Sequence, residues 1–441
     1  MHANEGYAMT ERSIAARGAT VSLSPTWMSE ARIDIAVLAS AFFLQRFSLI
    51  FGHSLMSLDV VATICILIHQ FGSGKLLISY NRFLWFIGLA LIVTYSLYMN
   101  FNSGMLPSYS EFIVMYFLLT LFKPRGVNKY KNTLQAFQFL VLIISVLAIA
   151  QFFAQFVVDG RQLVLFFGIV PDFLLASYET GGANTIIPIY EASSLIKSNG
   201  IFLAEPSTLS LITALGILIE LLEFGRPRYL FLLALAYLLS YSGSGLMMLV
   251  VFLPLAGLVR GRALRYALLL FIFVFGLAIT GIVDLSVFVG RMGEFEDTRA
   301  SGHGRYIAPF WLLGDYLHLA SVRELLLGNG PGTTAAFTGQ DRFWYTGGMT
   351  ATWIKSLYEY GLVGSFIFIL FLVGCCRRTP CPNIIVAAVF FSFVFIGGNL
   401  LNTPFLAIMI VLLTLSGSKA QRGRIDATSQ YRPSFAEPDR G

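Results

Sequence analysis

Apolar runs separated by short polar connections make up most of the chain. Each run is interpreted as a helix that crosses a lipid bilayer. The pattern therefore predicts an all-α, polytopic membrane protein with about twelve transmembrane helices. The predicted spans are 33–51, 54–71, 83–99, 106–122, 134–157, 206–222, 229–242, 245–259, 266–284, 351–374, 383–398 and 401–416.

Positive charge occurs in every second connection, and this alternation orients the predicted spans. The short connections at 52–53, 100–105, 243–244 and 399–400 contain no Lys or Arg. The alternate connections and the two ends carry Arg12, Arg17, Arg32, Lys75, Arg82, Lys123, Arg125, Lys129, Lys131, Arg226, Arg228, Arg260, Arg262, Arg265, Arg377, Arg378, Lys419, Arg422 and Arg424. Because basic loops stay in the cytoplasm, both termini are predicted to be cytoplasmic.

This orientation divides the chain into three predicted parts. Residues 1–32 form a cytoplasmic N-terminal tail, and residues 33–416 form a single transmembrane domain. Residues 417–441 are polar and rich in Arg, Ser and Pro, which predicts a disordered cytoplasmic tail. The two longest connections, 158–205 and 285–350, both fall on the extracytoplasmic side. Loops this long in a compact membrane domain are usually functional.

Composition supports a lipid environment and excludes several other classes. Hydrophobic residues make up 56% of the chain and charged residues only 12%, against about 25% charged residues in soluble domains. The net charge of +6 lies mainly in the connections, so it reflects topology and does not predict a nucleic-acid partner. The four cysteines match no common zinc spacing, so neither a metal site nor a cofactor is predicted.

The second long loop contains arginine but no lysine. Arginine binds phosphate through two parallel hydrogen bonds and tolerates partial burial, so these residues suggest an anion site at the outer face. Arg291, Arg305 and Arg323 are the candidates for pyrophosphate binding. The alternative is ordinary pairing with the equally numerous acidic residues of the same loop.

Two further positions are candidates for proton transfer. Glu205 precedes Pro206 at a predicted helix start, where a carboxylate either serves as a general base or simply stabilises the helix dipole. His303 is the substitute base. Lys355 and Glu359 lie four residues apart on a predicted span and are supporting candidates, with a structural ion pair as the alternative.

Several short motifs follow one another in the second half of the chain. Gly304-Arg305 precedes an aromatic-rich helix, followed by residues 327–332 (LGNGPG) and 357–364 (LYEYGLVG). This succession resembles the O-antigen polymerase and O-antigen ligase superfamily, which has an arginine-bearing outer loop, a Leu-Gly-x-Gly turn and a Glu-x-Gly-Leu-x-Gly helix. Residues 202–207 (FLAEPS) resemble a Phe-x-Glu-Pro-Ser element, and residues 240–244 (SYSGS) resemble a serine-rich turn. The resemblance covers most of residues 200–375.

The chain departs from this pattern at two points. The ligases carry a His-Asn pair shortly before the Glu-x-Gly element, where this chain reads MTAT at 349–352. This difference favours a polymerase over a ligase. Two residues stand between Phe202 and Glu205 where the Phe-x-Glu-Pro-Ser element has one, and this insertion blurs that motif.

The resemblance implies an activity, a location and a set of partners. It implies a glycosyltransferase of the bacterial inner membrane that moves a growing polysaccharide from undecaprenyl pyrophosphate onto a lipid-linked repeat unit. The polysaccharide would be an exopolysaccharide, a capsule or an O-antigen. A chain-length regulator and a flippase are the implied protein partners. One rival function is an O-antigen ligase of the same superfamily. The other is a secondary transporter, which should need helices broken inside the membrane.

Overall fold

The computed structural model describes residues 25–51, 54–124, 130–158, 186–189, 193–280, 286–290, 293–297, 301–338, 351–377, 379–398 and 400–416, and it is mostly helical. Arg291 and most of the first long loop lie outside these residues.

The helices and strands are numbered in chain order. The helices are α1 Pro25–Phe43, α2 Leu58–Gly72, α3 Tyr80–Met99, α4 Leu106–Leu118, α5 Tyr130–Ala154, α6 Pro206–Ile219, α7 Pro227–Leu239, α8 Gly243–Val259, α9 Gly261–Ile279, α10 Ser286–Gly290, α11 Ser301–Tyr306, α12 Ala308–Leu319, α13 Val322–Leu327, α14 Thr334–Thr338, α15 Thr352–Arg377, α16 Asn383–Phe395 and α17 Thr403–Met409. The strands are β1 Ser48–Phe51, β2 Ser54–Ser57, β3 Leu77–Ile78 and β4 Leu121–Phe122.

A helix occurs in each predicted apolar run, which confirms the helical class. In the described part of the chain, four helices are long and apolar enough to cross a membrane. They are α3, α5, α15 and the continuous helix Pro206–Phe224, which extends α6 by a wider π-helical turn. Several others, such as α7 and α16, are apolar but shorter. The structure is therefore compatible with membrane insertion.

The first connection differs from the prediction. Residues 48–51 and 54–57, predicted as parts of two spans, form the antiparallel hairpin β1–β2, in which Ser48 faces Ser57. Helix α1 begins at Pro25, inside the predicted N-terminal tail. A short apolar run is compatible with either a strand or a helix, and a polar helix start resembles a tail. Hydropathy alone therefore identifies neither the start of α1 nor the hairpin.

Helix α6 lies at the centre of the helix packing. Every residue of α6 except Ser207 is buried, as expected of a helix that is apolar on all sides. It packs directly on α8, because a Cβ added to Gly245 would lie only 2.3 Å from the Ser210 carbonyl oxygen. This contact fixes the starts of α6 and α8 beside each other.

Helix α15 is broken in its first half. Gly361 has φ 67° and ψ −174°, which interrupts the helix between residues 352–360 and 362–377. A left-handed φ of this kind favours glycine. The sequence predicted one span over 351–374, so the break is a correction to that prediction.

Ion pairs at the predicted cytoplasmic ends tie neighbouring helices together. Lys123 pairs with Asp34 of α1, and both side chains are buried. Arg226 pairs with Glu220, and Arg260 pairs with Glu223 at 3.0 Å. The first pair joins α1 to the segment after β4, and the other two join the end of helix Pro206–Phe224 to the start of α7 and the end of α8.

Candidate functional site

Glu205 stands at the N-terminus of α6, as the sequence predicted. Its backbone is extended and Pro206 occupies the first helical position, where a missing N–H group costs nothing. The Glu205 side chain makes no capping hydrogen bond to the helix. Instead, Oε2 accepts a hydrogen bond of 2.6 Å from the Ser207 hydroxyl. The carboxylate is therefore held by a side chain of the first helical turn and not by its backbone N–H groups.

Arg305 joins this carboxylate to a third segment of the chain. Its Nη2 lies 3.5 Å from Glu205 Oε2, and its Nη1 donates a hydrogen bond to the hydroxyl of Ser244. The Arg305 side chain is 15% exposed and the Glu205 side chain 32%. Glu205, Ser244 and Arg305, hereafter the central cluster, are thus brought together from the starts of α6 and α8 and from α11. All three belong to motifs that carry the family resemblance.

The position of Ser244 is fixed by the packing of α6 on α8. The backbone N–H of Gly245 donates to Ser210 Oγ at 3.1 Å, and Ser210 Oγ donates to the Ser207 carbonyl at 2.9 Å. A chain of hydrogen bonds therefore runs from the start of α8 to the residue that binds Glu205. The sequence named the serine-rich turn but did not single out Ser244.

The loop that leads into Glu205 is held by Gln151 of α5. Gln151 Oε1 accepts hydrogen bonds from the Ser198 hydroxyl and from the backbone N–H groups of residues 199, 200 and 201, at 2.8, 3.1, 2.9 and 3.3 Å respectively. Gln151 Nε2 donates to Asn199 Oδ1 at 3.0 Å. Arg46 donates to the Ile201 carbonyl. Sequence reasoning missed Gln151, since a glutamine inside an apolar run gives no signal of its partners.

The other candidates from the second long loop lie in different surroundings. His303 is 1% exposed, and its ring packs edge-on against Trp311 with centroids 4.9 Å apart. Arg323 is exposed and donates to the Met99 carbonyl at 2.8 Å and to Asn100 Oδ1 at 3.1 Å, at the end of α3. Arg305, by contrast, contacts Glu205 directly. Arg291 lies outside the described residues.

Lys355 and Glu359 share a helix but do not pair within the described structure, where no contact of 4.0 Å or less joins their charged atoms. Glu359 is 1% exposed, and its Oε1 accepts a hydrogen bond of 2.8 Å from Thr334. Lys355 instead interacts electrostatically with Glu111, which Asp59 also approaches. Charged side chains of α2, α4 and α15 therefore lie close enough to interact with one another.

The motifs at 327–332 and 357–364 pack on each other through their backbones. Asn329 N–H donates to the Tyr358 carbonyl at 3.0 Å, and Gly330 N–H donates to the Glu359 carbonyl at 2.9 Å. A Cβ on Gly328 would lie 2.3 Å from the Glu359 carbonyl oxygen, and one on Gly361 would lie 2.4 Å from the Leu326 carbonyl. The turn at 328–330 thus satisfies carbonyls that the helix break leaves open.

An apolar groove of about 930 Å³ runs between α6, α7, α8 and α9. On α8 its lining extends from Leu246, two residues beyond Ser244, to Leu258. At 1.5 Å per residue, this stretch is roughly 18 Å long. The remaining walls are Ile217, Ala234, Tyr237, Leu238, Leu264, Ala267, Leu270, Phe271 and Val274.

The central cluster provides a carboxylate, a hydroxyl and a guanidinium within one partly exposed site. Such a set can accept a proton and stabilise an anion. In the described part of the chain, no group of three or more His, Cys, Asp or Glu side chains has the arrangement of a metal site. Comparisons of the sequence with family models and with curated proteins give no match.

Proposed function

We propose that this protein is a membrane glycosyltransferase that polymerises lipid-linked oligosaccharide repeat units at the outer face of the bacterial inner membrane. The observation that carries the proposal is the convergence of Glu205, Ser244 and Arg305. These residues lie far apart in the sequence, in three separate motifs that resemble the same polymerase and ligase superfamily. Their contact provides a base beside a phosphate-binding group.

In the proposed reaction, a sugar hydroxyl of the lipid-linked repeat unit attacks the anomeric carbon of the growing chain. The hydroxyl proton passes to the Glu205 carboxylate as the new glycosidic bond forms. The bond between the anomeric carbon and undecaprenyl pyrophosphate breaks, and its electron pair remains on the phosphate oxygen. Arg305 stabilises this developing charge through its planar guanidinium, with Ser244 holding one of its nitrogens.

The apolar groove supports a lipid-linked substrate. Its lining begins two residues beyond Ser244 on α8 and is formed almost entirely by aliphatic and aromatic side chains. A polyprenyl chain would lie in such a groove without burying a polar group. The groove therefore agrees with the lipid partner that the resemblance implies.

The ion pairs support the proposed orientation of the spans. The pair Arg305–Glu205 joins two residues of predicted outer segments. The pairs Lys123–Asp34, Arg226–Glu220 and Arg260–Glu223 each join residues of predicted inner ends. Twelve spans with both termini in the cytoplasm remain the arrangement that we propose, and the flippase and the chain-length regulator remain proposed partners.

The test uses a strain that lacks this gene and is complemented with variants. Arg305→Ala should abolish long polymer and cause lipid-linked repeat units to accumulate, while the protein still reaches the membrane. Arg305→Lys should also lose most activity because lysine keeps the charge but loses the planar fork. Arg323→Ala is the matched control, since Arg323 bonds to the end of α3. Normal polymer from Arg305→Ala would remove the central cluster from the reaction.

The same assay separates the polymerase from the O-antigen ligase. Both reactions consume a glycan on undecaprenyl pyrophosphate, but the acceptor differs. A polymerase lengthens the chain while the chain remains on undecaprenyl pyrophosphate. A ligase transfers finished chains to another acceptor and leaves their length unchanged. Gels that compare chain length in the lipid-linked fraction and in the transferred fraction therefore distinguish the two enzymes. Long chains that remain lipid-linked indicate a polymerase.

A secondary transporter is the second candidate, and the break in α15 favours it. Transporters place ion and substrate sites at discontinuous helices, and here the buried Glu359 lies two residues from Gly361. Purified protein in liposomes distinguishes the two functions. Polymer formed without any ion gradient supports the glycosyltransferase, whereas gradient-driven uptake without polymer supports the transporter.

A further inference from the structure

Helix α12 has two different apolar faces. One face packs on the start of α15, where Ala308 and Leu312 join Ile354 in a small core. The opposite side exposes Leu317, which is 53% accessible, and Phe310, which is 64% accessible although its ring also lies 5.5 Å from that of Trp353 on α15. These two residues are seven apart and therefore lie on one stripe of the helix. Large exposed apolar side chains on one stripe of a helix indicate a surface that contacts another protein or a membrane.

Helix α13 continues this exposed apolar surface. Val322 is 73% accessible and Leu326 is also exposed. The start of α13 is fixed by a capping box, in which Ser321 Oγ accepts from Glu324 N–H and Glu324 Oε2 accepts from Ser321 N–H. The backbone donors at the start of this short helix are thus satisfied.

Arg323 joins this surface to a candidate membrane span. It donates to the Met99 carbonyl and to Asn100 Oδ1 at the end of α3. Tyr95 and Tyr98 on the last turns of α3 are also exposed. Aromatic side chains at the end of a membrane helix are typical of the headgroup region. The apolar surface of α12 and α13 is therefore continuous with the outer rim of a span.

We infer that α12 and α13 lie in the outer interface of the bilayer, with Phe310, Leu317, Val322 and Leu326 in contact with lipid. The inference rests on the proposed membrane orientation and adds the position of the second long loop. Trp311 and His318 carry polar ring nitrogens that suit the boundary with water. A lipid-borne substrate would consequently reach Arg305 from the side, along the membrane surface.

The test measures the depth of Trp311 by fluorescence quenching. Two full-length variants keep one tryptophan each, Trp311 or Trp85, with phenylalanine at the other four positions. Each is reconstituted into phosphatidylcholine liposomes brominated at acyl carbons 6 and 7. Trp85 is exposed on the candidate span α3 and serves as the reference. For an interfacial ring we expect brominated lipid to quench the Trp311 emission, as it quenches that of Trp85, and aqueous acrylamide to quench it little.

The outcomes separate this inference from the proposed function. Quenching of Trp85 without quenching of Trp311 overturns the interfacial position but leaves membrane insertion intact. Loss of quenching at both Trp85 and Trp311 overturns the interfacial position and also the membrane insertion on which the proposed function depends. If these variants do not fold, hydroxyl-radical labelling of the unchanged protein in nanodiscs gives the answer. Leu317 should be protected relative to the denatured chain while its exposed neighbour His318 is labelled, and equal labelling of both would refute the inference.

Discussion

Replacing Gln151 with leucine should loosen the loop that carries Glu205. Leucine has a similar size but cannot accept the four hydrogen bonds that reach Gln151 Oε1. Two of the donors keep other partners, because Ser198 Oγ also donates to the Ala148 carbonyl and Ile201 N–H also donates to Asn199 Oδ1. The backbone N–H groups of Asn199 and Gly200 lose the acceptor that holds them. At roughly 1–3 kcal/mol for each buried donor, the variant should lose about 2–6 kcal/mol of stability.

Gln138→Leu is the matched control on the same helix. Gln138 is equally buried, and its Nε2 donates one hydrogen bond, to the Gly216 carbonyl, at 2.7 Å. That carbonyl also accepts the backbone N–H of Glu220, so the substitution leaves no group unpaired. Loss of one such bond inside a membrane helix bundle costs about 0.6 kcal/mol.

Thermal unfolding in detergent, followed by size-exclusion chromatography, compares the two variants. Gln151→Leu should melt well below Gln138→Leu, and the lowered stability should be accompanied by loss of polymer. Gln151→Glu retains the acceptor and should lie between Gln151→Leu and the natural protein. If Gln151→Leu and Gln138→Leu unfold together, the loop is held by other contacts and the reasoning is refuted.

Three further predictions concern the base, the helix break and the topology. Glu205→Gln should reduce polymer formation by roughly 10²–10⁴-fold if the carboxylate is the base. Glu296→Gln, which changes an exposed outer-loop carboxylate, should leave the amount of polymer on gels unchanged. Gly361→Ala should unfold at a markedly lower temperature, because its Cβ would meet the backbone of Leu326 at 2.4 Å. Gly276→Ala, where a Cβ meets no atom within 4 Å, should unfold at nearly the same temperature as the natural protein. Reporter fusions at Arg125 and Gly332 should report opposite sides of the membrane.

Each of these predictions has a clear opposing result. Near-normal polymer from Glu205→Gln would eliminate this carboxylate as the base, and His303 would be tested next. Equal melting of the two glycine variants would show that the break in α15 tolerates a side chain. Reporters that both indicate the cytoplasm would overturn the span count and the location of the site together.

Hydropathy located the helices because burial in lipid or in a helix core demands apolar runs of sufficient length. It could not locate the start of α1 or the hairpin β1–β2. A helix whose first turns are polar lacks the signal, and two strands in an apolar run look like helix ends. The break at Gly361 was not predicted for a related reason, since a single glycine does not interrupt the hydropathy of α15.

The candidate site was predictable only in part. Glu205 was identifiable from the Pro206 helix start and Arg305 from the charge pattern of its loop, but their contact depends on tertiary packing. Ser244 reaches Arg305 because Gly245 lets α8 approach α6. Arg323 followed the same charge pattern and nevertheless bonds to the end of α3. The residue type alone could not separate these two arginines.

The break in α15 also bears on the order in which the molecule is assembled. The break leaves the Tyr358 and Glu359 carbonyls without hydrogen-bond donors from their own helix, so their donors come from other segments. Those donors are Ser96 Oγ, at 3.0 Å from the Glu359 carbonyl, and the N–H groups of Asn329 and Gly330. All of them precede α15 in the chain, so a ribosome releases them first. Helix α15 therefore leaves the ribosome after the segments that carry these donors. Its broken turn can form its hydrogen bonds while the rest of the chain is still being synthesised.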